Sequence, residues 1–404
     1  MSPMTTRTML LTLTFFTLRA AAIYYPFIEY SGTTFFDGFD FYGAIDNTTW
    51  GNVTYVDAAV ASTESLAYIN DQGNAIIKVD NTTNVLAAGI QYRKSVRLTS
   101  KAEFPIGTLF IVDAIHMPFG CSVWPSIWLN GVLEPGQVWP AAGEIDWIEA
   151  INLMDHNQMA LHSFAGCNQS QGVFQSGQSV IHNCNDTTAS GCTVEETKPN
   201  SFGAGFNNNG GGAFGLQFDV AGVWMWFWNR TSIPNSISST SSNPAATMDT
   251  SDWGTPSAAY PSAGCNITEF FPNQQLVVDI TLCGLWAGLP VVYNAATGCP
   301  GSGPNGSSCF LANIAGNGSN YAEAYFELPS IRTFSLNSTL AALGENSAGS
   351  GGQQTTGVAS GSPSATADDS QNTGGAPSGA VALGSGVGQA MWVAAMLVGM
   401  SAFL

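Results

Sequence analysis

Between about residue 23 and residue 340 the chain has almost no stretch with the period of a long amphipathic helix. Short runs rich in Val, Ile, Phe, Trp and Tyr follow one another instead: SVRLTSKA, GTLFIVDAIHM, EIDWIEAI, QMALHSFA, AFGLQFDV, GVWMWFWN, QLVVDITL and AEAYFELPSIRTFSL. Clusters of Gly, Asn, Asp and Pro separate them. Aromatic and β-branched runs bounded by turn formers read as strands, and many in series read as an all-β sandwich of two antiparallel sheets. Such a fold can exceed about 200 residues as one domain. FNNNGGGAFG (206–215) and GCPGSGPNGSSC (298–309) are expected to be loops. GVWMWFWNR (222–230) puts Trp224, Trp226 and Trp228 on one face of a strand and Val223, Met225 and Phe227 on the other. Both faces are apolar, which places the strand inside the sandwich. Whether one face lines a groove is open at this point.

Charge narrows the function. The formal net charge is -18, with only 10 Lys and Arg among 404 residues. Nucleic-acid binding rests on neutralising phosphates with bases, so it is excluded. Four scattered histidines have no zinc spacing and no C-x-x-C pair exists, so neither a metal nor a cofactor is expected.

The ends read as addresses. Arg7, the apolar run 9–18 and Ala20-Ala21-Ala22 have the layout of a signal peptide over residues 1–22. Residues 341–386 are mostly Gly, Ser, Ala, Thr and Gln, a composition that cannot bury a core and implies a disordered stalk. Residues 387–404 are apolar. With small residues at Asn372–Gly375 or Ser378–Ala380 they resemble a glycosylphosphatidylinositol attachment signal, the one membrane contact expected. The catalytic domain is then 23–340, and a monomer is expected. Ten N-x-[ST] sequons, at Asn47, Asn52, Asn81, Asn168, Asn185, Asn229, Asn266, Asn305, Asn317 and Asn337, agree with secretion to the cell surface or wall. Eight cysteines suggest up to four disulfides. Cys299–Cys309 and Cys184–Cys192 are the expected local pairs, with long-range pairing possible.

One stretch concentrates chemistry. GEIDWIEAIN (143–152) holds Glu144, Asp146 and Glu149 in an otherwise apolar run, in a chain only 9% charged. On a strand Glu144 and Asp146 share a face and Glu149 points away. One β-bulge between them adds a residue and returns Glu149 to that face. The glutamates then stand roughly 13 Å apart at Cα, at about 3.3 Å per residue. Side chains leaning together bring the carboxyls to about 5–6 Å, near what a retaining glycosidase needs for a nucleophile and a proton donor. Asp146 between them helps to separate their pKa values. A calcium loop or a solvated strand face are the competing readings. Ile145, Trp147 and Ile148 are too apolar for the first, and parity disfavours the second unless the strand is bulged. If INLMDHN turns a hairpin, His162 of QMALHS comes back beside Glu144 or Asp146; a satisfied core histidine is the alternative.

EIDWIE resembles the E-x-D-x-x-E signature of family 16 glycoside hydrolases. FFDGFDFYG, SVRLTSKAEFPIGTLFIVDAIHMP, VWPSIWLNG, VWPAAGEIDWIEAINLMDHNQMALHS, SDWGTPSAAY and VVDITLCGLWAG extend the resemblance, over roughly residues 30–337, to the fungal laminarinase-like branch. It implies a β-jelly-roll with a concave glucan-binding cleft and retaining endo-hydrolysis of β-1,3-glucan, with mixed β-1,3-1,4-glucan a further expected substrate. It also implies Glu144 as nucleophile, Asp146 as assisting acid, Glu149 as acid/base and His162 beside the nucleophile. Trp124, Trp128, Trp139 and Trp286 fall in blocks that resemble sugar-stacking positions, where flat aromatics meet the C–H faces of glucose; Trp139 is the best placed, and Trp124 and Trp128 could equally be core. NGVLEPGQV (130–138) is longer than the family pattern and is expected to reshape one end of the cleft. A wall transglycosylase and a non-catalytic β-glucan-binding protein are the alternative functions.

Overall fold

The computed structural model describes residues 22–340 apart from 89–90, 188–189, 242, 244 and 302–307. Two antiparallel sheets lie face to face. One has eight strands, in the order Gln178–Ser179, Cys192–Glu195, Gln158–His162, Glu144–Glu149, Val123–Gly131, Gln274–Leu282, Arg97–Phe104 and Phe39–Phe41. The other has seven: Met248–Asp249, Ile23–Ser31, Ser330–Ser335, Thr108–Ala114, Gly212–Asp219, Gly222–Asn229 and Ala258–Pro261. The jelly-roll expected from the sequence is the fold. A three-stranded sheet (Ala67–Ile69, Ala75–Lys78, Tyr325–Leu328) and a parallel pair (Val53–Tyr55 with Arg93–Ser95) accompany it.

Strand alternation fills the space between the sheets. Ile127, Leu129, Val278, Ile280, Ile145 and Leu161 reach in from the eight-stranded sheet and meet Phe110, Val112, Phe214, Leu216, Val223, Met225 and Phe227 from the other. Complete burial of side chains of this size contributes about 1.5–3 kcal/mol each. The opposite face of the eight-stranded sheet carries the polar residues, so the hydrophobic pattern alone fixes which face is free for chemistry.

The tryptophan row of Gly222–Asn229 does not line a groove. Trp224, Trp226 and Trp228 sit on the outer face of the seven-stranded sheet in a buried cluster with Ile237 and Trp253, the last packed on Trp226 and Trp228. The sequence reading of FNNNGGGAFG as loop also needs correction. A short helix runs over Gly203–Asn208, and Gly212 already begins a strand. The glycines are there for closeness: a Cβ on Gly215 would stand 2.8 Å from the Trp253 ring and 3.0 Å from that of Trp228. Large rings on one strand demand no side chain on the next.

All eight cysteines are paired, as Cys121–Cys299, Cys167–Cys265, Cys184–Cys192 and Cys283–Cys309. Cys184–Cys192 agrees with expectation and Cys299–Cys309 does not. Val123 and Leu282 are register partners, which brings the strand ends at Cys121 and Cys283 side by side. Each of these two takes one of the expected local partners, so the bonds tie the segment after residue 284 to the ends of two central strands rather than closing it on itself.

Candidate active site

Glu144–Glu149 pairs with Gln158–His162 on one side and Val123–Gly131 on the other. Against Gln158–His162 the register runs Glu144 to His162 and Asp146 to Ala160, then slips to Glu149 with Gln158. Against Val123–Gly131 it slips between Asp146 and Ile148. One extra residue is accommodated on both sides, which is a β-bulge. Its signature is two consecutive core residues: Trp147 and Ile148 both join Ile145 and Ala150 in the interior. Glu149 thereby regains the face of Glu144 and Asp146. The bulge read from the sequence is present.

Asn157 holds the bulge in shape. Its side-chain amide donates to the Trp147 carbonyl at 2.8 Å, and its Oδ1 accepts the Glu149 N–H at 2.9 Å. These are backbone groups that the slipped register leaves without ladder partners. Asn157 is almost fully buried and its own N–H donates to Ser201 Oγ.

Each glutamate receives an indole N–H. Trp139 Nε1 donates to Glu144 Oε2 at 2.8 Å, and Trp124 Nε1 to Glu149 Oε1 at 2.8 Å. Trp139 is 40% exposed on the segment that follows Gly131, the one expected to differ in length. Trp124 meets Trp286 edge to face at 5.5 Å between centroids. Trp128 lies opposite Asp146 in the ladder but is nearly buried, and the Arg97 guanidinium sits 5.1 Å over its ring. Its indole hydrogen-bonds Asp279. One ring face is therefore occupied, and Trp128 is not an open platform as Trp139 is.

His162 stands between two carboxylates. Nε2 lies 3.1 Å from Asp146 Oδ2, and Nδ1 lies 2.7 Å from Asp186 Oδ1. The core-histidine alternative is thus displaced by a charged pairing on the polar face. Glu144, Asp146 and His162 each offer a donor atom within 4.8 Å of the others, a spacing a cation could also enter. The second carboxylate on His162 argues instead for an imidazolium that fills that place.

Burial pushes Glu144 up to about 8, and the charge of Asp146 adds to it; the His162 cation and the Trp139 N–H oppose. Burial, then Asp146, also raises Glu149 well above the usual carboxylate range, against the Trp124 N–H and the His162 cation. For His162 burial favours the neutral ring, but the bonds to Asp146 and Asp186 outweigh it and hold the ring charged. Asp146 is the largest charge raising either glutamate. His162 faces Glu144 directly across the ladder, so the first proton leaves Glu144 and the last stays on Glu149.

Asp186, Asn157 and the Arg97–Asp279 pair escaped the sequence reading. Arg97 and Asp279 share a ladder position on the same face, two strands from Glu149, with 3.9 Å between their charged atoms. Alternation on QLVVDITL would have placed Asp279 on a face, but nothing local says which.

Residues 39–334 match the model of the XgeA-like, catalytic GH16 domain. A probable glycosidase of Schizosaccharomyces pombe is 38% identical over 311 residues, 76% of this chain and 68% of that protein. The endo-1,3(4)-beta-glucanase xgeA of Emericella nidulans is 34% identical over 345 residues, 82% of this chain and 52% of that one. The chain thus spans about half the length of that glucanase. Among solved structures, laminarinase 16A of Phanerochaete chrysosporium, with β-glucans in donor and acceptor sites, superposes with a TM-score of 0.69 and 32% identity, covering 78% of this chain and all of the other. An elongating GH family 16 beta-1,3-glucosyltransferase gives 0.68 and 35%, covering 77% and 100%. With the bulged acid triad, the sandwich that carries it and a family match over most of the chain in agreement, this protein belongs to glycoside hydrolase family 16.

Proposed function

We propose that the protein is a retaining endo-β-glucanase acting on β-1,3-linked glucan, with mixed β-1,3-1,4-glucan as a second substrate. The observation that carries this reading is the bulge returning Glu149 to the face of Glu144 and Asp146. Glu144 is the nucleophile. Its carboxylate attacks the anomeric carbon while protonated Glu149 gives its proton to the departing glycosidic oxygen, so the leaving chain departs as a neutral alcohol. Glu149, now ionised, takes a proton from water, and the resulting attack frees Glu144 with net retention. Asp146 raises both glutamates and, with the His162 cation, decides which one keeps the proton. Trp139, Trp124 and Trp286 offer ring surface for glucose beside the two acids. The laminarinase relative bound to β-glucans supports the substrate class.

A second reading has its own observation. The elongating beta-1,3-glucosyltransferase is as similar as the laminarinase, so transfer of the glycosyl ester to a sugar instead of water is the competing outcome. Laminarin incubated with the purified protein separates the two, with reducing ends and product sizes followed together. New reducing ends and shorter products support hydrolysis. Products longer than the substrate without new reducing ends assign transfer, and no change leaves only glucan binding.

The protein is proposed to act as a monomer, secreted and held at the cell surface or wall by a lipid anchor. Four disulfides and exposed Asn47, Asn168, Asn266, Asn317 and Asn337 favour the oxidising, glycosylating route. The signal-peptide residues to position 21, the stalk and the anchor signal lie outside the described residues. Among the described ones no helix is long and apolar enough to cross a membrane. Asn185 is only 7% exposed, which speaks against a glycan there.

A further inference from the structure

We infer that Asp186 is a positioning residue of the active site, built into a disulfide-closed hook whose task is to fix the orientation and the charge of His162. The inference rests on the reading of Glu144 and Glu149 as the catalytic pair. Asp186 lies more than twenty residues beyond His162, on the segment between Cys184 and Cys192 that the disulfide closes.

Four contacts aim it. The Asp186 N–H donates to the Ser163 carbonyl at 2.9 Å, and the Ser163 N–H donates to the Cys184 carbonyl at 2.9 Å, so the hook is stitched to the residue after His162. Cys192 begins a strand paired with Leu161, so the other end of the hook is tied to the residue before it. Gly191 lies against the ring itself: a Cβ there would be 2.7 Å from His162 Nδ1 and Cε1. The imidazole is thereby gripped through both sequence neighbours and one flank, and Asp186 Oδ1 meets Nδ1 at 2.7 Å with both side chains shielded from water.

The consequence runs through protons. Asp186 accepts from Nδ1–H, and the remaining ring nitrogen stands 3.1 Å from Asp146 Oδ2, close enough for an ion pair once it too carries a proton. A ring with both protons is a cation, and it stands opposite Glu144 in the ladder. The charged groups acting on it are Glu144, Asp146 and Glu149 from its partner strand and Asp186 from the hook. Trp139, 6.1 Å away between ring centroids, adds no charge. Three acids on one strand face cannot all ionise cheaply, and a fixed cation among them lets Glu144 ionise first. Asp146 alone could orient the ring. The second carboxylate is what keeps it charged while the substrate displaces water.

The test is Asp186→Asn in the full-chain protein with its disulfides and glycans. Asn keeps an acceptor at the same place and removes the charge. Imidazole NMR at varied pH should show the ring of His162 losing its second proton at lower pH than in the parent. The Asp186 charge itself raises Glu144, but the neutral His162 ring no longer lowers it, and being the nearer group it decides the sign: the acidic limb of kcat/KM should move upward by about one unit, on the scale of a single nearby charge. kcat should fall on the order of 10-fold with KM nearly unchanged, as for loss of a partner that orients a histidine. Asp186→Glu, which restores the charge, should bring the limb back. If the His162 ring titrates in Asp186→Asn as in the parent and the limb stays in place, the inference is overturned while the catalytic pair stands. If Glu144→Gln keeps full turnover, the catalytic reading itself fails, whatever the ring does.

Discussion

Two faces of this molecule carry tryptophans, and they use the same side chain in opposite ways. On the free face of the eight-stranded sheet, Trp139 and Trp124 give their indole N–H groups to the carboxylates of Glu144 and Glu149. On the outer face of the seven-stranded sheet, Trp226 and Trp228 give theirs to the backbone carbonyls of Gly254 and Trp253, at 3.1 and 3.3 Å. Those rings stack on one another and both meet Trp253 edge to face. One set leaves ring surface open and tunes acids; the other is roofed and adds packing. Function follows from what accepts the N–H, and the residue type alone does not distinguish the two.

The contrast is broken most sharply by substituting an acceptor on the active face. Glu144→Gln should lower turnover on the order of 10⁴-fold or more, as removal of a nucleophile does, with unchanged far-UV and near-UV circular dichroism. Residual activity within tenfold of the parent would remove Glu144 from the mechanism. On the roofed face the outcome inverts. Trp253→Ala should cost about 3–5 kcal/mol of stability by leaving a cavity against the rings of Trp226 and Trp228, while kcat of the folded fraction stays unchanged. Denaturant titration and active-site-normalised rates check both halves.

Smaller changes sharpen it. Trp124→Phe keeps a ring and deletes the N–H that favours the Glu149 carboxylate. The Glu149 pKa should rise, so the alkaline limb of kcat/KM moves to higher pH and kcat drops roughly tenfold, less than the roughly 10²-fold or more lost with a general acid itself, because the acid remains. Trp228→Phe deletes an N–H to a backbone carbonyl and should leave both limbs in place. A limb that moves equally in both variants would mean that the two faces are not different in kind.

The smallest effect concerns stability against pH. Glu144 is raised to about 8 in the folded chain, mainly by burial. A free glutamate titrates near ~4.3. Between those values the folded state binds more protons than the unfolded state, so the contribution of this group to stability falls as pH rises through the window. Glu144→Gln has no proton to lose. It should melt at a higher temperature than the parent at pH 8 and close to the parent at pH 4, by thermal scans at both. A gain at pH 4 that vanishes at pH 8 would reverse the sign and refute the burial argument.

Much of the site was legible in the sequence because it depends on local rules. Strand parity placed Glu144 and Asp146 together, and one extra residue was the least change that could bring Glu149 back. Two adjacent apolar residues, Trp147 and Ile148, are the trace such a bulge leaves. Counting through the hairpin brought His162 beside Glu144 or Asp146, and the ladder sets it opposite Glu144 with its ring nitrogen on Asp146. What stayed hidden depends on contacts between distant segments. Asn157 reads as an ordinary turn residue until the backbone groups it satisfies are seen. Asp186 sits within the Asn185 sequon and reads there as part of a glycosylation signal. The Cys121–Cys299 and Cys283–Cys309 bonds join strand ends whose neighbourhood only the sheet order defines, so proximity in sequence pointed to the wrong pair. Trp128 reads equally as a stacking platform or as core until Arg97 is found over its ring.

The central claim is that a single bulge makes Glu144 and Glu149 the nucleophile and proton donor of a double displacement. Early proton NMR of a laminarin digest tests it most directly, by reading the anomer released before mutarotation. Two displacements at one carbon return the β configuration, so β-anomer signals should grow first at the new reducing ends and α signals should follow only at the rate of mutarotation. If α appears first, water attacks directly from the far side, the two acids are not a nucleophile and its partner, and the account of the bulge is wrong.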